Sequence, residues 1–141
     1  IFNRNVLHRS DAGGKGVLLS KQADIVLMAG LVNADATVNY IKSLKNPKVD
    51  ILPMGHLGTT SSLEDEICTK YIKALLEGVV ISLYPYLKDL REGPGSYFFG
   101  EDQKQYPNED FDRCLELKRF NFAIKAEIKE DHAVLSRVSE T

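Results

Sequence analysis

The sequence predicts an α/β fold in which a largely parallel sheet carries helices on its faces and a β-hairpin ends the chain. Short apolar runs alternate with helical apolar stripes over roughly the first seventy residues, as expected of a parallel sheet with crossover helices. Each of these runs leads into a glycine-containing turn. Residues 121–138 alternate instead around a polar bend, which predicts the hairpin.

The first unit opens with a short candidate strand at residues 5–8. Residues 9–16 (RSDAGGKG) follow, and their three glycines predict a tight turn into a helix that begins near Val17. Backbone N–H groups in such a turn can close on a phosphate, because glycine has no Cβ to block the approach. The spacing matches neither the Walker A pattern nor the dinucleotide fingerprint, so an ordinary strand-to-helix turn is the alternative.

Two more units of the same kind follow. Residues 24–29 (DIVLMA) form a near-continuous apolar run, typical of a strand covered on both faces. The next helix is predicted to begin after an N-cap at Asn33 and to stop at Asn46-Pro47. Residues 49–53 are the third candidate strand.

The loops after these strands are expected to lie together. Parallel strands end at one edge of a sheet, and ligands bind beyond that edge. The loops in question are residues 9–16, 30–33 and 55–62.

The rest of the chain is predicted to organise around residues 52–72 (LPMGHLGTTSSLEDEICTKYI). Four hydroxyl residues precede the acidic triplet Glu64-Asp65-Glu66 and a helical stripe. The hydroxyls and carboxylates can cap the helix, since they match the free N–H groups and positive end of its first turn. They can equally build a site, since helix N-termini bind anions and paired carboxylates bind hard cations.

The C-terminal half is predicted from weaker patterns. Gly78 interrupts the helical stripe, and helix is favoured to resume toward Arg91, with a strand at residues 79–81 as the alternative. The remaining predicted elements are a loop at 91–96, an aromatic plug at 97–99, a helix opening at 107–110, and hairpin arms at 123–128 and 133–138.

Length and composition bound the function classes. The 141 residues suit a single domain, and a net charge of −2 without a basic stripe argues against nucleic acid. No apolar stretch is long enough to span a membrane. Cys68 and Cys114 suggest reduced thiols in a cytoplasmic protein and lack a zinc-ligand spacing. The chain begins at Ile1, within an apparent strand. We therefore expect it to be a fragment of a longer protein.

Four ordered stretches resemble the 2-phosphosulfolactate phosphatase family, which are magnesium-dependent enzymes of coenzyme M biosynthesis. They are residues 9–16, residues 31–41 (LVNADATVNYI), the glycine turn at 55–58 with SLEDEIC at 62–68, and LREGPGSYFF at 90–99 with residues 108–127. The resemblance implies a three-layer α/β/α enzyme that hydrolyses phosphate esters of 2-hydroxycarboxylic acids with Mg²⁺.

The sequence departs from this family in two places. The family's N-terminal strand-turn bearing Asp and Arg has no counterpart here, so the chain is expected to be the C-terminal part of a longer phosphatase. Asp11 and Gly14 stand where family members more often carry hydroxyls.

The carboxylates are the candidates for metal binding and water activation. Hydrolysis of a phosphomonoester requires charge neutralisation and an in-line water. Glu64 and Asp65 are predicted to bind Mg²⁺ or activate the water, with Asp11 as a further metal ligand and Asp35 behind it. The alternatives are a capping-box role for Glu64 and a solvated first-turn acid for Asp65.

Other residues are predicted to bind and protonate the substrate. The phosphate candidates are Arg9, Gly13, Gly14, Lys15 and Gly16. His56 is predicted to protonate the leaving oxygen, with an exposed loop histidine as the alternative. Arg91 is predicted to grip a carboxylate or sulfonate, with a cation at a helix C-terminus as the alternative.

The expected binding partner is a small phosphorylated hydroxy acid. Self-association into a homo-oligomer is a further prediction. The second function class is a non-catalytic anion-binding or oligomerising domain, a truncated or decayed family member.

Overall fold

The computed structural model describes residues 6–10 and 12–139. Its helices and strands, in chain order, are α1 (Gly13–Leu19), β1 (Val26–Met28), α2 (Ala34–Ser43), α3 (Leu63–Glu77), α4 (Leu87–Glu92), α5 (Asn108–Cys114), β2 (Ala123–Ile128) and β3 (Ala133–Val138). Short 3₁₀ helices lie at Leu31–Asn33, Tyr84–Tyr86 and Ser96–Phe99. Within this part of the chain, every helix is too short or too polar to cross a bilayer.

The sheet contradicts the predicted fold class. Its three strands lie in the order β1-β2-β3, and both pairs are antiparallel, with Val26 opposite Ala126 and Ile124 opposite Arg137. The prediction of a largely parallel sheet in a three-layer α/β/α fold is therefore wrong. An apolar run indicates burial, but it does not specify the partner strand or its direction, which tertiary contacts decide.

Two of the predicted strands do not form in the described residues. Residues 6–8 and 49–53 are irregular, and Asn5 lies outside the described part of the chain. Leu7 is 100% exposed and Leu52 is 65% exposed, so neither segment is the buried strand that its apolar residues predict. Pro53 lacks the N–H group that a central strand needs. The expected edge of converging parallel strands is absent from residues 6–10 and 12–139 for the same reason.

The C-terminal hairpin is confirmed with its predicted bounds. Strands β2 and β3 pair from Ala123–Val138 to Ile128–Ala133, and the Lys129 N–H donates to the His132 carbonyl at 2.8 Å. Ala123 and Ala126 are both buried, although they lie on opposite faces of the strand. Helices α1 and α2 both contact β2, so β2 is the covered centre of the sheet.

The core lies mainly between α2 and α3. The predicted apolar stripe of α3 is confirmed, since Ile67, Tyr71 and Ile72 are buried in it. Lys42 Nζ donates to the Leu75 carbonyl at 2.7 Å, which places a cation at the negative end of α3. Gly78 then ends the helix in the left-handed conformation, with φ +74°.

The segment after α3 departs from prediction. Residues 79–83 have no helix or strand, and the chain continues through the 3₁₀ helix Tyr84–Tyr86 into the six-residue α4. Neither helix nor strand exists at residues 79–81, where Val80 is 94% exposed, but the helix predicted to resume toward Arg91 is present as α4.

Asn33 joins β1 to α2. It occupies the predicted N-cap position, but its side chain makes no capping bond to α2. Its Oδ1 accepts the Gly30 N–H at 2.8 Å, and its Nδ2 donates to the Met28 carbonyl at 3.3 Å. The buried amide therefore fixes the turn between the strand and the helix.

Candidate functional site

The predicted central stretch forms a tight turn over residues 55–60. The His56 N–H donates to the Thr60 carbonyl at 2.8 Å, and the Thr59 N–H donates to the His56 carbonyl at 3.1 Å. Leu57 and Gly58 have φ values of 55° and 72°, as turns with two left-handed central residues require. The backbone of this turn is thus closed on itself, while the His56 side chain is exposed.

Asp65 connects this turn to α3. Its Oδ2 accepts the backbone N–H of Gly55 at 2.6 Å, a length typical of a charge-assisted hydrogen bond. Gly55 has φ +63°, and a Cβ at this position would lie 2.0 Å from the Thr60 carbonyl oxygen. Position 55 therefore requires glycine, and one oxygen of the Asp65 carboxylate is already engaged.

The serine hydroxyls do not cap α3 as the sequence suggests. Ser62 is the N-cap residue, but its side chain makes no capping hydrogen bond. Ser61 Oγ donates to Glu66 Oε1, so the hydrogen-bond partner of Ser61 is Glu66 and not Glu64. The Ser62 hydroxyl is buried without a hydrogen-bond partner among the described residues. The capping-box alternative for Glu64 is therefore wrong.

The glycine-rich segment lies in the first turn of α1. The helix begins at Gly13, four residues before the predicted start. The Gly13 N–H donates to Ser10 Oγ at 3.2 Å, and the Gly16 N–H donates to the Ala12 carbonyl at 3.0 Å. These two predicted phosphate donors therefore already have partners within the chain, whereas Gly14 has open space above its Cα.

One contact brings the glycine-rich segment to the central stretch. A Cβ on Gly16 would lie 2.5 Å from Met54 Sδ, so the Met54 side chain packs directly on the α1 backbone. Arg9 and Lys15 are exposed. Asp11, a predicted metal ligand, lies outside the described residues.

Arg91 stacks on an aromatic ring. Its guanidinium carbon lies 4.0 Å from the centroid of the Phe99 ring, a cation–π arrangement. Arg91 is in the last turn of α4, where a cation complements the helix dipole. Both predicted roles, the anion grip and the helix-end cation, fit this position.

Tyr97 is a residue for which the sequence predicted no role in the site. Burial raises the pKa of the Tyr97 phenol above its usual value, and the nearby Cys114 and Glu64 groups raise it further. The phenol thus stays protonated near neutral pH. The aromatic run at residues 97–99 was the available signal, but it predicted only packing.

The contacts of Asp35 and the burial of Cys68 are typical of residues with structural roles. Asp35 Oδ2 accepts a hydrogen bond from the Tyr71 hydroxyl at 3.0 Å, and Lys118 Nζ lies 3.5 Å from Asp35 Oδ1.

Burial, followed by the charge of Asp65, raises the pKa of Cys68 to about 11. The thiol is therefore protonated at neutral pH, which argues against a nucleophilic Cys68.

The described residues fit an open cation site better than a closed one. No group of three Asp, Glu, His or Cys side chains with metal-binding geometry occurs among residues 6–10 and 12–139. Glu64 and Asp65 are adjacent on α3, and adjacent helical side chains do not face each other. Mg²⁺ often binds one or two protein carboxylates together with substrate oxygens and waters. Either carboxylate fits that arrangement.

Comparison with known proteins identifies the family. The family model described as 2-phosphosulpholactate phosphatase matches residues 1–127 of the 141-residue chain. The chain belongs to the 2-phosphosulpholactate phosphatase family. Searches of curated proteins and of solved structures found no match. The four stretches that resemble this phosphatase family all lie within the matched residues, and so does every predicted site residue.

Proposed function

We propose that this chain is part of a Mg²⁺-dependent phosphatase that hydrolyses phosphate esters of small 2-hydroxycarboxylic acids, of the kind used in coenzyme M biosynthesis. The match of a phosphatase family model to residues 1–127 is the observation that carries the proposal. It spans the central turn, α1 and the Arg91 segment together. A cytoplasmic location remains part of the same proposal.

Substrate binding is assigned to three cationic side chains. Arg9, which precedes α1, and Lys15, which lies in its first turn, neutralise the phosphate oxygens, and the Gly14 N–H is a further donor. Gly13 and Gly16 contribute less, because their N–H groups already have acceptors within the chain. Arg91 pairs with the carboxylate or sulfonate of the substrate through its planar guanidinium.

The reaction needs one base and one acid. A Glu64 oxygen accepts a proton from the attacking water while the water oxygen bonds to phosphorus. The bond from phosphorus to the ester oxygen breaks, and His56 donates a proton to that oxygen. The products are the free hydroxy acid and inorganic phosphate.

The cation is assigned to the carboxylates. When bound, Mg²⁺ supplies positive charge against the phosphate oxygens and favours ionisation of a bound water. Glu64, Asp11 and the Asp65 oxygen that Gly55 does not engage are the candidate ligands. The exposed position of Glu64 on α3 supports access by the ion and its waters.

One observation favours the non-catalytic alternative. The Asp65–Gly55 hydrogen bond gives Asp65 a structural purpose that an anion-binding or oligomerising domain also needs. A phosphatase is expected to release phosphate, whereas a non-catalytic domain is not. In both, loss of the Asp65–Gly55 hydrogen bond is expected to lower the free energy of unfolding.

Phosphate release from 2-phospholactate with Mg²⁺ tests the proposed roles. Glu64→Gln and His56→Gln are expected to lower kcat by about 10²–10⁴-fold, the usual effect of losing a general acid or base. Glu77→Gln is the matched control, because Glu77 lies in the last turn of the same helix and forms an exposed ion pair with Lys73. Loss of activity in the control as large as in Glu64→Gln contradicts the assignment.

A further inference from the structure

One side chain anchors the segment that carries the turn at residues 55–60. Between residues 52 and 61 every residue is exposed except Met54 and Gly55, and Gly55 has no side chain. The apolar neighbours Leu52 and Leu57 are 65% and 52% exposed. Met54 is therefore the side chain of this segment that is withdrawn from solvent against the rest of the described structure.

The Met54 side chain lies on the glycine-rich segment. A Cβ on Gly16 would come within 2.5 Å of Met54 Sδ and 2.7 Å of Met54 Cε, so the thioether occupies the space that a side chain at position 16 would take. The next residue along the chain is bound by α3, because Asp65 Oδ2 accepts the Gly55 N–H at 2.6 Å. Met54 therefore contacts α1 at the point where the backbone is attached to α3.

The two helices that meet here are packed mainly on different parts of the fold. Helix α1 contacts β2 and β3, and its Val17 is buried. Helix α3 packs on α2. Loss of the Met54 side chain would leave both of these packing arrangements in place and would remove a direct contact between α1 and the turn.

We propose that Met54 is a positioning residue that fixes α1 relative to the turn that carries His56. The inference rests on the proposed phosphatase function, in which Lys15 of α1 neutralises the phosphate and His56 protonates the leaving oxygen. A thioether has no proton to donate, so Met54 acts through these two segments. Positioning of this kind matters because a misplacement of about 1 Å can slow a reaction by about 10²-fold.

Phosphate release from 2-phospholactate with Mg²⁺ tests the effect on the reaction. Met54→Ala is expected to lower kcat by about tenfold or more and to change KM by less than about threefold, because the cations on α1 still bind the phosphate. Met54→Leu conserves volume and is expected to restore most of kcat. Ile72→Val is the control, because it truncates a buried side chain of α3 and is expected to lower the melting temperature without lowering kcat.

Amide hydrogen exchange tests the contact without any turnover. The Gly16 N–H donates to the Ala12 carbonyl at 3.0 Å, and the His56 N–H donates to the Thr60 carbonyl at 2.8 Å. Met54→Ala is expected to speed exchange of both amides by about threefold or more, since both segments lose a packing contact. The Lys129 N–H, which donates to the His132 carbonyl in the hairpin turn, is the control and is expected to exchange at the parent rate.

A pair of variants tests the contact through packing alone. Gly16→Ala places a methyl group where the Met54 thioether lies, whereas in the Met54→Ala chain that space is free and alanine favours the helix. Gly16→Ala is therefore expected to raise the melting temperature more in the Met54→Ala chain than in the parent. Equal shifts in the two chains would show that the residues do not interact.

Three results would overturn the proposal. They are a kcat of Met54→Ala equal to that of the parent, a loss of kcat as large in Ile72→Val as in Met54→Ala, and unchanged exchange of both the Gly16 and the His56 amides. A parent chain that releases no phosphate would instead refute the phosphatase function. The exchange rates and the melting temperatures would then decide by themselves whether Met54 holds α1 and the turn together.

Discussion

The Asp65 carboxylate holds the Gly55 N–H at 2.6 Å, and through it the turn at residues 55–60 is attached to the first turn of α3. This bond helps to hold the turn that carries His56 against the helix that carries Glu64. The relationship gives Asp65 a positioning role whether or not it also binds a cation.

Asp65→Ala is expected to lower the free energy of unfolding by about 1–3 kcal/mol, because it leaves the Gly55 N–H without its charged acceptor. Asp65→Asn keeps an acceptor oxygen and is expected to lose less. Urea denaturation measures both changes. Glu64→Ala is the control in the first turn of α3. It is expected to lower the free energy of unfolding by no more than about 1 kcal/mol, which is the contribution of an acidic residue near the positive end of a helix. An Asp65→Ala chain as stable as the parent contradicts the positioning role.

Gly55→Ala is expected to destabilise the chain by more than Gly58→Ala. Both glycines have positive φ, so each alanine suffers the left-handed penalty of about 1–2 kcal/mol. Only at position 55 would the new Cβ also meet a backbone oxygen, at 2.0 Å, whereas nothing lies within 4 Å at position 58. Thermal melts of the two variants compare them directly, and equal melting temperatures would refute the close approach at Gly55.

The Tyr71 hydroxyl predicts a pH dependence of stability. Burial, with the hydrogen bond to Asp35, raises the pKa of Tyr71 from 10.0 to about 12. Since the folded pKa lies above the unfolded value, the contribution is fully present below pH 10 and is lost as pH rises toward 12. Urea denaturation should therefore show a stability difference between the parent and Tyr71→Phe that is constant below pH 10 and shrinks above it. A difference that grows over that range contradicts the assignment.

The two thiols are expected to react at different rates. Cys68 is half-buried with a pKa of about 11, whereas Cys114 is exposed. At pH 8 a disulfide reagent should therefore modify Cys114 well before Cys68, and both should react together in urea. Cys68→Ser is expected to retain phosphate release. Its inactivation, in a variant that still folds, would indicate that the Cys68 thiol takes part in the reaction.

Local patterns predicted the elements that local contacts form. The alternation in residues 121–138 predicted both hairpin arms, and the stripe through Ile67 and Tyr71 predicted the buried face of α3. Gly78 was predicted to break that helix, and it does so with a left-handed φ. The signals are local because hairpin pairing, helix periodicity and the helix end are each decided within one element or between neighbouring ones, although the buried face of α3 packs on α2.

Long-range pairing could not be predicted in the same way. The run at residues 24–29 gives the three-residue β1, but its antiparallel partner β2 lies about a hundred residues away along the chain. The start of α1 was missed because glycine is a poor helix former, although Gly13 is stabilised there by Ser10 Oγ. The sequence predicted a site role for Asp65 but not its bond to Gly55, which depends on the folded turn and has no signature in the sequence.

The proposed phosphatase activity can be measured as release of inorganic phosphate from 2-phosphosulfolactate by the purified chain, with and without Mg²⁺. We expect turnover with Mg²⁺, loss of turnover with a chelator, recovery when the metal is restored, and a slower rate with a phosphomonoester that lacks the 2-carboxylate. Absence of release from 2-phosphosulfolactate and 2-phospholactate at every metal concentration, by a chain that melts cooperatively, would contradict it and leave the anion-binding domain as the better account.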